Sequence, residues 1–316
     1  MKVAFLFPGQ GSQKVGMGAD LAKEFPAARR VFEEADEALG MALSRMCFEG
    51  PEENLRLTAN TQPATLATSI AALRAFESEC SIRPELAAGH SLGEYSALVA
   101  AGALMLGDAL CAVRERGRLM QEASPPGQGA MAALIGLELP VVQELCAEAS
   151  TDGEIAVPAN LNAPGQIVIS GDAGAVRRAL EAAKARGAGA SVELKVSAPF
   201  HCPLMRPARE GMVPVLERLA INPLNFGVIA NVTAEVNRDS DRVRPLLLEQ
   251  ITGSVRWEES MATLAAADIG ETIEFGAGRV LAGLMRRINR NIKVRSAEDA
   301  ASLRATISAL TTDAPA

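Results

Sequence analysis

Residues Gly89-His90-Ser91-Leu92-Gly93 lie between an apolar run, Leu86-Ala87-Ala88, and a helix-favouring stretch from Glu94 to Ala101. This order reads as strand, sharp turn and helix, the local geometry of a nucleophile elbow. The two glycines permit a strained turn and a close approach of strand to helix. Ser91 is thereby placed at the C-terminal end of a strand with its hydroxyl exposed. The amides that follow it, near a helix N-terminus, are free to stabilise an oxyanion. The plain alternative is a Gly-rich turn with no chemistry, because GxSxG is a short motif. The flanking strand and helix favour the catalytic reading.

The chain has 316 residues, 48% of them hydrophobic, enough to bury a large core as one large domain or a large and a small one. A net charge of −7 argues against a nucleic-acid binder, which needs a broad basic surface. Val3 to Phe7 is too short for the apolar region of a secretory signal, and no run of about 18 apolar residues occurs. The expectation is a cytoplasmic protein without membrane association. Cys47, Cys80, Cys111, Cys146 and Cys202 are odd in number and scattered, which predicts neither a disulfide framework nor a zinc site.

A serine nucleophile needs a base, and only His90 and His201 can supply an imidazole. His90 adjoins Ser91, so at a strand end its side chain leaves from the opposite face. His201 is the better candidate. Its surroundings, Ser197 to Met205, follow a strand-like segment and precede a helix, which places it on a loop, where catalytic groups concentrate.

Periodicity predicts a buried strand at Val3 to Phe7, a Gly-rich loop at Pro8 to Gln13, and helices at Ala19 to Leu39, Gln62 to Glu79, Leu92 to Ala101 and Gly107 to Ala123. The loop lacks the G-K-[ST] of a phosphate-binding loop and the register of a dinucleotide fingerprint. It remains able to cradle an anion or lend an amide to a site. The pattern is that of an α/β fold with a mostly parallel sheet. It changes near Pro125-Pro126-Gly127. Strands at Ala130 to Ile135, Ile155 to Leu161, Gln166 to Ser170 and Ala190 to Val196, with helices at Pro140 to Ala149 and Ala173 to Arg186, give the order βαββαβ of a ferredoxin-like subdomain. Asn162 to Gly165 supplies its hairpin turn. The α/β pattern then resumes, with helices at Pro203 to Leu219, Arg242 to Ile251, Val255 to Ala267 and Arg279 to Asn289, and strands at Gly227 to Val232, Glu271 to Phe275 and Ile292 to Ser296. Residues 128–197 are thus expected as an insert between residues 1–127 and 198–316. Ser91 precedes the insert and His201 follows it, so a cleft between the two bodies is where they would meet.

Pro8-Gly9-Gln10-Gly11-Ser12-Gln13, Gln62-Pro63, Gly89 to Ser96, Arg116-Gly117, the His201 loop and Glu274 to Leu281, in this order and spacing, resemble the malonyl-CoA:acyl carrier protein transacylase family over essentially the whole chain. The resemblance implies a hydrolase-like large domain with a ferredoxin-like insert and a Ser-His dyad. By position, Ser91 is the nucleophile, His201 the base, and the Gln250 backbone carbonyl the group that orients the imidazole. The amides of Gln10 and Leu92 form the oxyanion hole. Arg116 receives the malonyl carboxylate, which a guanidinium can grip with two parallel hydrogen bonds. The residues alone leave Arg114, Arg116 and Arg118 as alternatives on one helix, where a solvated basic face is the ordinary reading. Gln62 is a pocket-wall or loop-bracing residue, and Phe200 shortens the pocket against an α-methyl substituent.

The implied reaction is a ping-pong transfer of malonyl from malonyl-CoA to the phosphopantetheine of acyl carrier protein, with no cofactor and no metal, by a monomer. It serves fatty acid or polyketide synthesis. A serine esterase or thioesterase using the same dyad is the alternative enzyme, and a non-catalytic carrier-binding protein the alternative from another class. The carrier in such systems is acidic, while Arg279 to Arg295 holds Arg279, Arg286, Arg287, Arg290, Lys293 and Arg295 with no acid. Arg286 and Arg287, with Lys184 and Arg186, are the expected docking patch; an ordinary basic helix face is the alternative.

Overall fold

The computed structural model describes residues 2–312 except 126, 152 and 195. Pro126, at the expected change of pattern, and Lys195, in the last expected strand of the insert, lie outside the described residues. Strand β1 (Val3–Phe7) is buried along its whole length. Behind it come α1 (Ala19–Glu24), α2 (Pro26–Leu39), α3 (Leu43–Glu49), α4 (Glu52–Arg56) and α5 (Thr58–Glu79). The single helix expected from Ala19 to Leu39 is broken. Pro26 disfavours a helical residue before it, and Phe25 is extended at φ −118° and ψ 113°. Helix α5 starts four residues before the expected Gln62, with Pro63 inside it. Its early turn is held by packing: a Cβ on Gly117 would lie 2.6 Å from the Thr58 carbonyl oxygen, so only glycine lets the helices approach this closely. Buried strand β2 (Leu86–Gly89) leads into α6 (Gly93–Ala100) and then α7 (Leu106–Glu122), which carries Gly117.

A second, antiparallel sheet follows, from β3 (Gly129–Ile135), β4 (Ala156–Ala163), β5 (Gln166–Asp172) and β6 (Ala190–Glu193), with α8 (Leu139–Ala149) and α9 (Ala173–Ala185) between them. The order β4-β5-β3-β6 is the split arrangement expected of βαββαβ. Asn162 and Ala163 belong to β4, so the turn is Pro164-Gly165 alone, with Gly165 at φ 65°. Leu134, Ile169, Val142 and Val176 join the strands to the two helices on one side of this sheet, while Met131, Ala159 and Val168 form an apolar patch with Phe200 on the other.

The chain returns through α10 (Arg206–Glu217), β7 (Gly227–Ile229), β8 (Val236–Asn237), α11 (Val243–Thr252), α12 (Trp257–Ala266), β9 (Glu271–Phe275), α13 (Val280–Ile288), β10 (Lys293–Ala297) and α14 (Ala300–Thr312). The first sheet has order β10-β9-β1-β2-β7-β8, parallel except for β8. A short 3-10 turn, Pro203–Met205, replaces the first turn expected of α10, and another, Ser240–Arg242, leads into α11, which starts within one residue of the expected Arg242. Helix α12 starts two residues later than Val255, because the Val255 amide donates to Ala159 and its carbonyl accepts from Leu161, joining β4. Phe5, Phe76 and Phe275 pack edge to face, with centroids 4.8–5.9 Å apart, and fix β1 against β9 and α5. In open parallel sheets the crevice beyond the strands' carboxyl ends receives ligands. The register Phe7↔Gly89 brings the loop after β1 and the elbow after β2 to that end side by side. Among the described residues, no helix is long and apolar enough to cross a membrane.

Candidate active site

Ser91 has φ 50°, a left-handed conformation that a non-glycine residue adopts at a cost. The elbow folds back on itself so tightly that a Cβ on Gly89 would lie 1.8 Å from the Gly93 carbonyl oxygen. One on Gly93 would lie 2.1 Å from the Phe7 carbonyl oxygen, so both glycines are required. Asn231, just beyond β7, braces the turn: its Oδ1 accepts from the Ser91 amide at 2.7 Å and its Nδ2 donates to the Gly89 carbonyl at 2.7 Å.

His201 also has positive φ, 57°, and is 3% exposed. Its Nε2 lies 2.7 Å from Ser91 Oγ and its Nδ1 2.9 Å from the Gln250 carbonyl oxygen. A carbonyl can only accept, so Nδ1 carries the proton and Nε2 is left to accept from the serine hydroxyl. Burial, followed by the nearby Arg116 guanidinium, pushes the His201 pKa down to about 3. The ring is therefore neutral. His90 turns away from this pair, with Nε2 2.8 Å from Asn162 Oδ1 and its ring beside Trp257.

Arg116 is 1% exposed on α7. Its Nη1 donates to Gln62 Oε1 and its Nη2 to Gln250 Oε1, both at 2.8 Å, and Nη2 also reaches Ser91 Oγ at 3.2 Å. Its Nε is buried without an acceptor among the described residues. The neighbours on the same helix do surface work: Arg114 donates to the Leu39 carbonyl, and Arg118 pairs with Glu115 and Glu122. Gly117 explains how Arg116 reaches Gln62, since the close α5–α7 crossing is one residue away.

Gln10 lies in the loop after β1, which runs against the elbow: the His90 amide donates to Phe7, and a Cβ on Gly9 would meet the His90 carbonyl at 2.5 Å. The Leu92 amide precedes the first turn of α6, so it has no intrahelical acceptor. Ser91, His201, Gln10 and Phe200 share a cleft of about 410 Å³ whose other walls include Met131 and Val168 from the second sheet and Val280, Leu281 and Leu284 from α13. That volume suits a small acyl group with part of a carrier arm.

Arg286 and Arg287 are exposed on α13, the helix whose first residues line the cleft. Their basic neighbours are partly neutralised, Arg279 by Glu298 and Arg295 by Glu271. Arg186 is engaged by Glu144 and Glu148 within the second sheet's helices.

Sequence reasoning missed three contributions. Asn231 carries no motif, Gln250 is expected to act only through its carbonyl, and Glu94 stands in a helix-favouring stretch. Glu94 is 3% exposed; its Oε2 accepts from Gln250 Nε2 at 2.8 Å and the Asn231 amide at 3.0 Å. Burial outweighs these bonds and pushes its pKa up to about 7. The available signal was a carboxylate at the head of a helix that is apolar from Ala97 to Ala101.

A family model described as an acyl transferase domain matches residues 4–296. The malonyl CoA-acyl carrier protein transacylase of Bacillus subtilis (strain 168) is 48% identical over 98% of this chain and 97% of its own. That of Escherichia coli (strain K12) is 44% identical over 90% of this chain and 92% of its own. The solved malonyl CoA-acyl carrier protein transacylase from Coxiella burnetii is 39% identical and superposes with a TM-score of 0.96, covering 98% of each chain. A malonyl-transacylase solved in complex with its type II PKS acyl-carrier protein is 42% identical with a TM-score of 0.95, covering 98% of this chain and 100% of that one. Identity at this level, over almost the full length and on the same fold, places the chain in the acyl transferase family, among the malonyl CoA-acyl carrier protein transacylases.

Proposed function

We propose that this chain transfers malonyl from malonyl-CoA to the phosphopantetheine thiol of an acyl carrier protein through an ester on Ser91, supplying extender units for fatty acid or polyketide synthesis. One observation carries the reading: Ser91 Oγ is touched by a neutral imidazole at 2.7 Å and by a buried guanidinium at 3.2 Å. The first group activates the hydroxyl, and the second suits an acyl chain that ends in a carboxylate.

His201 Nε2 takes the Ser91 proton as Oγ attacks the thioester carbonyl, the amides of Gln10 and Leu92 receive the oxyanion, and CoA leaves as a thiol with the proton from His201. The carrier thiol then gives its proton to His201 and attacks the malonyl ester, and Ser91 recovers the proton as it leaves. The Gln250 carbonyl keeps Nδ1–H directed throughout, without the charge by which a carboxylate would favour imidazolium. Arg116 would give the malonyl carboxylate its unpartnered Nε and the Nη2 now directed at Ser91, with Gln62 and Gln250 holding the fork. Phe200, beside His201, limits substituents at the α-carbon, a preference worth about 1–3 kcal/mol. Every step runs on side chains and amides, so no metal or cofactor enters the proposal. The location and assembly proposed with this reaction are those of a cytoplasmic monomer. The second sheet and its helices are proposed as the insert at residues 128–197 within a large unit of residues 1–127 and 198–316.

The decisive experiment is intact-mass measurement after mixing with malonyl-CoA. An adduct that discharges onto carrier protein supports the transferase; rapid discharge to water makes the protein a hydrolase, and no adduct ends both readings.

The pH dependence follows from His201. For malonyl loading, kcat/KM reports the free enzyme, so its acid limb should fall well below the ordinary histidine value of 6.5. Because the native ring resists protonation while the unfolded one takes a proton near 6.5, this group costs stability as pH falls from that value towards about 3. An acid limb at or above the ordinary value in a rate profile corrected for unfolding would contradict the assignment.

A relative solved with its carrier protein supports the partner, and we propose that an acidic carrier docks at the exposed end of α13, where Arg286 and Arg287 face solvent. Reversing the charge at Arg286 and Arg287 together should raise the KM for carrier protein about tenfold at low salt and leave malonyl loading unchanged. An unchanged KM removes this helix from the docking surface.

A further inference from the structure

Gln250 Oε1 accepts from Arg116 Nη2, and Gln250 Nε2 donates to both Glu94 Oε2 and the Ser91 carbonyl. An amide can rotate to exchange its oxygen and nitrogen unless its neighbours forbid it. Here they do, because the Arg116 guanidinium only donates, the Ser91 carbonyl only accepts, and Glu94 Oε2 already accepts from two N–H groups. The matching contact on the other side of Arg116 is less constrained: among the described residues Gln62 Nε2 finds only Met120 Sδ, at 3.9 Å, a weak acceptor. The orientation of the guanidinium is therefore set chiefly from the Gln250 side, and Gln250 is set by Glu94.

We propose that Glu94 is a positioning residue for acyl-group selection: by accepting from Gln250 Nε2 it aims Gln250 Oε1 at Arg116 and holds the guanidinium ready for a terminal carboxylate. The inference rests on the reading of Arg116 as the carboxylate-binding group. Glu94 touches no reacting atom. Its burial at 3% exposure and that of Gln250 at 0% mean that water cannot substitute for the lost acceptor. Both donors converge on the same oxygen, Oε2, so a glutamine at this position can present its single carbonyl oxygen to both. An aspartate keeps the charge but falls one methylene short.

The test measures kcat/KM for loading from malonyl-CoA and from acetyl-CoA in Glu94→Gln, Glu94→Asp and Arg116→Ala. Glu94→Gln should keep the malonyl-to-acetyl ratio within about threefold of wild type, and Glu94→Asp should lower it about tenfold. In a Gln250→Met background, which retains the backbone carbonyl facing His201, Glu94→Asp should add no further change in the ratio. The inference is overturned if Glu94→Asp lowers both substrates equally, if it leaves the ratio intact, or if Glu94→Gln alone loses selectivity, which would mean that charge and not position matters. A ratio unchanged in Arg116→Ala would instead refute the reading of Arg116 itself.

Discussion

Ser91→Ala forms no malonyl adduct, and its transfer rate falls by about 10³- to 10⁶-fold, the range seen when the nucleophile of a serine-histidine pair is removed. The substitution deletes one atom, Oγ, together with its contacts to His201 Nε2 and Arg116 Nη2. The turn itself should survive, since Asn231 holds the Ser91 backbone amide and the Gly89 carbonyl rather than the hydroxyl. What remains is an oxyanion site with nothing to attack from. A thermal melt close to wild type, measured beside the mass spectrum, separates loss of chemistry from loss of fold. Persistence of the adduct in this variant would place the nucleophile elsewhere.

Arg116→Ala should reduce kcat/KM for malonyl loading by about 10²- to 10³-fold while acetyl loading changes far less, so that the preference collapses or inverts. The magnitude is that of removing a buried, charge-assisted contact to a carboxylate, about 3–4 kcal/mol at 1.4 kcal/mol per factor of ten. Two further consequences distinguish a specific role from general damage. The guanidinium depresses the His201 pKa, so its removal moves the acid limb of the rate profile upward. Arg116→Lys rescues only part of the loss, because an ammonium cannot bridge Gln62 and Gln250 while presenting a fork to substrate. Equal losses for malonyl and acetyl would show that Arg116 serves the fold and not the choice of acyl group.

Much of this site was legible from local rules. The elbow is written in five consecutive residues, and with two histidines in the chain the choice of base was nearly forced. Buried strand β1 reads as a continuous apolar run, although β9, equally buried, carries Glu271, Thr272 and Glu274, and the βαββαβ pattern was visible from period alone. Arg116 was not legible locally. On a helix that also carries Arg114 and Arg118, only burial separates the three, and the crossing that buries Arg116 depends on Gly117 meeting a turn far back in the sequence at Thr58–Ala59, as the Cβ distances show. The early start of α5 was hidden for the same reason, since Pro63 is a local stop signal overruled by packing. Glu94, Asn231 and the Gln250 amide act on one another, on the elbow and on Arg116, across separations of 134 to 159 residues. No spacing rule reaches that far.

The bracing of Ser91 and His201 also bears on synthesis. Both residues leave the ribosome before Asn231, which holds the elbow, before Gln250, which holds the imidazole, and before β9, which pairs with β1. A nascent chain can thus expose both reacting groups while neither is aligned. Chemistry begins only when the last strands have been made, so an incomplete chain has no competent site with which to spend substrate.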